Sequence, residues 1–364
     1  MTDAASLFTP TRVGDIEVSN RIAMAPLTRN RAEGDRVPSP LAVTYYGQRA
    51  SAGLIIAEAT QVSPLGQGYL DTPGIYSEAQ IAAWKDVTDE VHARGGRIVL
   101  QLWHVGRISH VSLLPEGEVP VAPSALRAQA KTFIQGGFAD VSEPRALALD
   151  EIPGVVEEFR TAARNAMRAG FDGVEVHAAN GYLIDQFLRD GSNTRQDAYG
   201  GSIENRTRLL HEVVAAVAEA IGAGRTGVRL SPVTPANDAH DSNPQPLFER
   251  AVERLASIDG LAFVHVIEGA TGGDRENIAF DYDALRSRFR GTWIVNNGYD
   301  KDSAVAAIDS GHAELVAFGR PFIANPDLVE RLKRDLPLAQ MDADTLYGGG
   351  AKGYTDYPAL ENVA

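Results

Sequence analysis

The chain contains no cysteine. That absence excludes disulfides, thiolate metal centres and cysteine nucleophiles together, and with them a secreted fold stapled by disulfides. Basic charge is also short, since 34 Lys and Arg stand against 48 Asp and Glu, for a formal net charge of -14. Such a field repels phosphate backbones and anionic membranes, so a nucleic-acid partner is not expected. No uninterrupted apolar run approaches membrane-spanning length, and the residues from Met1 to Pro10 show no basic stretch ahead of an apolar one. These absences lead to the expectation of a cytoplasmic protein without a membrane partner.

What is present is an ordinary globular composition, 44% hydrophobic and 23% charged over 364 residues. That length fits two domains or one enlarged α/β barrel. Short β-branched runs recur along the chain: Arg21 to Leu27, Leu54 to Thr60, Arg97 to Trp103, Gly173 to His177, Gly227 to Ser231, Phe263 to Ile267, Trp293 to Asn297 and Leu315 to Gly319. Between them lie segments with apolar residues at helical spacing, such as Ser77 to Arg94, Ile152 to Ala169, Arg206 to Ala220, Leu247 to Ser257 and Asp302 to Ser310. Eight strand and helix units in alternation predict an α/β fold of parallel strands, closed into a (β/α)8 TIM barrel, with an open doubly wound sheet as the alternative. An excursion from about 104 to 150, rich in Pro, Ala, Ser and Gly, follows the third strand and is expected to cap the barrel mouth; a disordered insertion is the alternative. No internal repeat or linker divides the sequence, which reads as one domain over 1–364.

In such a barrel the carboxyl ends of the strands face the active site. They nominate Pro26 and Thr28, Ala59, Gln101 and Trp103, His177 and Asn180, Arg229, Glu268, Gly298, Gly319 and Arg320. Glycines after strands seven and eight, with Arg320 beside one of them, suit a phosphate held on backbone amides, although each could simply turn the chain. Arg229 lies between apolar residues, where a cation needs an anionic or electron-rich neighbour; a structural ion pair with Glu58 or Glu175 competes with that reading. His177, Asn180 and Tyr182 put an imidazole, a carboxamide and a phenol at one strand end. The first two can donate to one carbonyl oxygen, and the phenol can deliver a proton. A lone histidine there would more often be structural, so the triplet is what points to chemistry. No predicted strand ends in a metal cluster or a Schiff-base lysine, so no metal is expected.

The stretch from His177 to Arg206 resembles the longest signature of the old yellow enzymes, the flavin-dependent ene-reductases. Ala25 to Arg29, Gln101 to His104, Phe318 to Pro326 and Tyr347 to Pro358 match further family motifs, in the same order and over essentially the whole chain. The resemblance implies a non-covalent FMN at the barrel mouth, reduced by NAD(P)H and reoxidised by an electron-poor alkene in a ping-pong cycle. It implies that Thr28 bonds the flavin O4, that Pro26 and Ala59 offer backbone contacts, and that Gln101 holds the pyrimidine edge. Arg229 would lie at the N1/O2 side, with the phosphate at Gly298, Gly319 and Arg320. His177 and Asn180 would bind the activating oxygen, Tyr182 would protonate the α-carbon, and Tyr69, Trp103 and Tyr347 would shape the pocket.

The implied partners are small enones and possible nitro compounds, taken by a monomer or homodimer. Two other readings stay open at this point. One is reduction of nitroaromatics or nitrate esters on the same flavin, and the other is a non-catalytic flavin electron-relay module.

Overall fold

The computed structural model describes residues 4–275 and 278–360. The eight expected strands form, as β1 (Ile22–Met24), β2 (Leu54–Gln61), β3 (Ile98–Trp103), β4 (Gly173–Ala178), β5 (Thr226–Leu230), β6 (Phe263–Ile267), β7 (Thr292–Asn296) and β8 (Leu315–Phe318). They pair in parallel in chain order, and β8 returns to β1, so the sheet is a closed barrel. Closure explains the composition of the strands: almost every strand residue is buried, with helices covering the outside and side chains filling the inside. The open-sheet alternative is excluded.

Helices α1 (Leu41–Gly47), α2 (Glu78–Ala93), α3 (Ile152–Arg168), α4 (Arg208–Ile221), α5 (Pro244–Ala256), α6 (Tyr282–Arg286), α7 (Lys301–Asp309) and α8 (Leu328–Lys333) supply the outer ring. Their starts follow local chemistry. Ser77 accepts from the Gln80 amide while the Gln80 side chain accepts from the Ser77 amide, which closes a capping box on α2. Asp300 caps α7 in the same manner through Ser303. β1 is shorter than the sequence pattern because Ala25 donates the last ladder bond, to Phe318, and Pro26 has no N–H to continue it.

The amino end of the barrel is stopped by a hairpin of Thr11–Val13 and Ile16–Val18. Val13, Ile16 and Val18 pack with the inward residues Ala23, Leu54, Ile56, Val99, Phe263, Ile294 and Leu315 in one interior cluster. The hairpin turn touches the chain before β5 so closely that a Cβ on Gly14 would sit 2.3 Å from the Gly224 oxygen, and Gly14 has φ +57°.

The excursion between β3 and α3 is ordered and lies across the other end. It contains an antiparallel hairpin, Lys131–Ile134 with Gly137–Asp140, and a short parallel pair, Val121–Ala122 with Arg145–Ala146. Leu70 donates its amide to Phe133, Thr132 bonds Gly68, and Ser109 donates to Gln67, so the excursion is laced to the loop after β2. Arg107 donates to Leu126 and to Asp238 beyond β5, and the Thr194 amide beyond β4 donates to Ser124. Three mouth loops are therefore tied to one cover, as the sequence suggested.

Candidate active site

The last residue but one of β4 is His177, inside the barrel mouth and in register with Arg229 on β5. The chain then makes a sharp turn: Asn180 has φ +57° and Gly181 φ +74°, conformations open to Asn and Gly. The Gly181 amide donates to Asp185, which is itself held by Arg189 at 2.8 Å in a buried pair. Arg189 reaches on to the Ser231 carbonyl at 2.6 Å, locking this turn to the end of β5. The geometry of the turn thus rests on paired buried charges, and losing either partner would leave the other uncompensated.

The turn delivers the expected triplet to one place. The rings of His177 and Tyr182 lie 5.1 Å apart and nearly perpendicular. Trp103 stands against both, 5.0 Å from Tyr182 and 6.5 Å from His177, and Tyr69 stacks on Trp103 at 5.7 Å. Tyr69 and Tyr182 share a hydrogen bond of 3.1 Å between their hydroxyls. Asn180 accepts from the Thr271 hydroxyl at 2.8 Å through its side-chain oxygen, which leaves its NH2 group as the end for another ligand. Asn237 holds the Asn180 carbonyl at 2.8 Å, and the Ser231 hydroxyl accepts from the Asn180 amide.

Burial sets the protonation states. It pushes the His177 imidazole well below its ordinary range, with the Arg229 charge and the nearby His265 adding to the effect. His177 is therefore neutral at working pH, and its Nδ1 finds no partner among the described residues. Burial pushes Tyr182 the other way, upward, against the opposing bonds from Tyr69 and Asn237. A phenol held protonated and a neutral imidazole are the forms that donate hydrogen bonds or a proton.

Below these groups lies a polar floor. Arg229 donates to Asn296 at 2.8 Å, its Nε is buried without a partner, and no carboxylate comes within 4.0 Å of it among the described residues. The structural ion pair considered for it is thus not formed: Glu58 meets the Arg29 amide and Tyr46, and Glu175 meets Gln101 and His265. Pro26 and Thr28 follow β1 half-buried, and Ala59 is buried on β2. Gly298 and Gly319 stand at the ends of neighbouring strands, with Arg320 next to the loop after β6, since a Cβ on Gly272 would meet its guanidinium at 2.8 Å. Tyr347, 61% exposed, comes from the carboxyl-terminal segment and is near enough to Tyr69 and Tyr182 to act on both electrostatically.

One strand-end candidate turns away from the pocket. Glu268 accepts from Tyr299 at 2.6 Å and pairs with His312 at 2.7 Å, in a cluster beside α6 and α7. Glu175, His265 and Asn296 were not nominated as site residues, and Asn237 and Thr271 also escaped notice. The first two were within reach of strand alternation, because Glu175 shares the inward face with His177 two residues on. Asn237 and Thr271 lie in loops, where no periodicity marks them.

A closed parallel barrel with a buried cation, an imidazole, a carboxamide and a phenol at its mouth fits a redox enzyme of the flavin-barrel class. An orphaned guanidinium N–H and a buried Gln101 amide suit the electron-rich pyrimidine edge of FMN, so the residues present fit that group. The sequence profile of the NADH:flavin oxidoreductase / NADH oxidase family matches residues 6–339, and the chain belongs to that family. It is 46% identical to 12-oxophytodienoate reductase 1 of Oryza sativa subsp. japonica, over 99% of this chain and 94% of the relative. Identity to 12-oxophytodienoate reductase 2 of Arabidopsis thaliana is 44%, over 98% and 96%. Among solved structures, morphinone reductase in complex with tetrahydroNAD superposes with a TM-score of 0.94 at 50% identity, covering 98% of both chains. The old yellow enzyme homologue from Zymomonas mobilis gives 0.94 at 46%, covering 98% of this chain and 100% of that one.

Proposed function

We propose that the chain is an FMN-dependent NAD(P)H alkene reductase in which His177 and Asn180 grip the activating oxygen of an α,β-unsaturated carbonyl compound and Tyr182 protonates its α-carbon. When bound, FMN would supply the hydride-transfer chemistry that links NAD(P)H to the β-carbon of the alkene. Pro26, Thr28, Ala59, Gln101 and Arg229 would hold its ring system, and Gly298, Gly319 and Arg320 its phosphate. The Arg229 charge would favour the anionic reduced ring. Neutral His177 and the NH2 of Asn180 donate to the substrate oxygen and draw electron density from the double bond. Tyr182 keeps its proton until the carbon needs it. Trp103, Tyr69 and Tyr347 wall the pocket and exclude water.

The observation that carries this reading is the meeting of His177, Tyr182 and Trp103 within 6.5 Å, above a buried arginine with a free N–H. All the proposed groups come from one chain, so we take residues 1–364 as one FMN-binding domain that works as a single unit. We take the cytoplasm, which holds an NAD(P)H pool, as its location.

The test separates the half-reactions. Under anaerobic stopped flow, Tyr182→Phe is expected to slow enone reduction by about 10² to 10⁴-fold. Flavin bleaching by NADPH should change less than severalfold. Equal slowing of both steps would overturn the role of Tyr182, and a protein that takes up no FMN would overturn the whole reading.

A further inference from the structure

Beneath the mouth, the four successive strands β3 to β6 carry a set of inward polar side chains, two of which, Glu175 and His265, have no assigned part in the alkene chemistry. Glu175 on β4 is wholly buried and shares the inward face with His177. It is the register partner of Gln101 on β3. Its Oε1 accepts from Gln101 Nε2 at 2.7 Å, and its Oε2 lies 2.7 Å from His265 Nδ1 on β6. Arg229 stands between them on β5, in register with His265 and bonded elsewhere, and Glu175 acts on it through space.

An ionised carboxylate only accepts hydrogen bonds. Glu175 therefore dictates which way its neighbours face. Gln101 must turn its NH2 group toward Glu175, and its Oε1 must face the other way. His265, which burial holds neutral, must carry its proton on Nδ1, leaving Nε2 without a partner. Burying a carboxylate to satisfy one amide and one imidazole is costly, and an apolar trio of the same volume would pack at least as well. The arrangement makes sense if the orientation of Gln101 and the charge beside Arg229 matter to what lies above.

We propose that Glu175 is a positioning residue for the flavin: it fixes Gln101 so that the carbonyl oxygen is presented to the ring N3–H, and it partly offsets the positive charge that Arg229 presents to the same edge. This rests on the reading of the mouth as an FMN site. Two consequences separate it from a merely structural carboxylate. The protein should distinguish flavins by the hydrogen on N3, and the reduction potential of the bound flavin should depend on the Glu175 charge.

The experiment uses the full chain, stripped of flavin and reloaded with either FMN or FMN methylated at N3, together with Glu175→Gln. Wild type is expected to bind FMN at least tenfold more tightly than the methylated ring. In Glu175→Gln, whose amide lets Gln101 turn either way, that preference should collapse. The potential of bound FMN should become more positive, because the Arg229 charge is no longer offset. A tenfold change in the ratio of affinities for the oxidised and reduced ring corresponds to about 30 mV for a two-electron couple.

Equal binding of both flavins by wild type would overturn the proposal whatever the variant does. So would a variant that keeps both the preference and the potential, or one that shifts the potential while still rejecting the methylated ring. Failure of wild type to bind either flavin would sink the FMN reading itself, an outcome distinct from the others.

Discussion

His177 and Tyr182 are displaced in opposite directions by the same cause, burial. A base whose folded value is depressed stays neutral down to lower pH, and an acid whose value is raised stays protonated to higher pH. The two donors therefore keep their working forms across the range in which free imidazole, near 6.5, and free phenol, near 10, would titrate. Single-turnover enone reduction by the reduced enzyme should be flat between about pH 6.5 and 9.5 in rate and in apparent affinity. A break near pH 6.5 that disappears in His177→Asn would contradict the buried, neutral imidazole.

Elements rather than single residues bring Tyr347 to the mouth. Arg31, after β1, donates to the carbonyls of Thr345, Leu346, Gly350 and Lys352 and stacks over Tyr354 at 4.6 Å, while Arg29 adds bonds to Leu346 and Gly353. One loop thus ties down the segment that carries Tyr347. Arg31→Ala is expected to raise the KM for enones severalfold with kcat little changed, and to hasten proteolysis around Gly348 to Gly350. Unaltered KM alongside faster proteolysis would mean that Tyr347 does not shape the pocket.

The same scale shows what was legible beforehand. β6 was readable to the residue, because Phe263-Val-His-Val-Ile267 is bounded by loop residues and buried on both faces. The amino-terminal hairpin was not, since its strands are three residues each and too short to show alternation. In the site, His177, Asn180 and Tyr182 are adjacent in sequence and stood out together. Gln101, Glu175 and His265 are separated by 74 and 90 positions, and only the barrel register assembles them. The proposed floor was thus half visible: Gln101 and Arg229 could be named singly, whereas Glu175 entered only as a competing ion-pair partner and His265 not at all.

For the whole molecule, the buried carboxyl of Glu58 couples stability to pH. Burial pushes it from its ordinary 4.5 up to about 7, against the lowering contacts with Arg29 and Tyr46. Below about pH 4.5 the group is protonated in both the folded and unfolded chain. Between 4.5 and 7 only the folded chain keeps the proton, so this contribution to stability falls as pH rises and then levels off. The full swing is on the order of 3 kcal/mol. Glu58→Gln should therefore gain stability relative to wild type as pH is raised from 5 to 8, as read by urea unfolding. A difference that stays constant with pH would show that the carboxyl titrates at its ordinary value.

The hairpin that stops the amino end of the barrel also bears on traffic. With that end packed by Val13, Ile16 and Val18, the described residues leave the approach to His177 and Tyr182 to the opposite rim, over which the excursion is laced. If reductant and oxidant are both received there, they cannot be resident together. Each must wait for the other to leave, so an excess of either should throttle turnover by occupying the doorway at the wrong moment in the cycle.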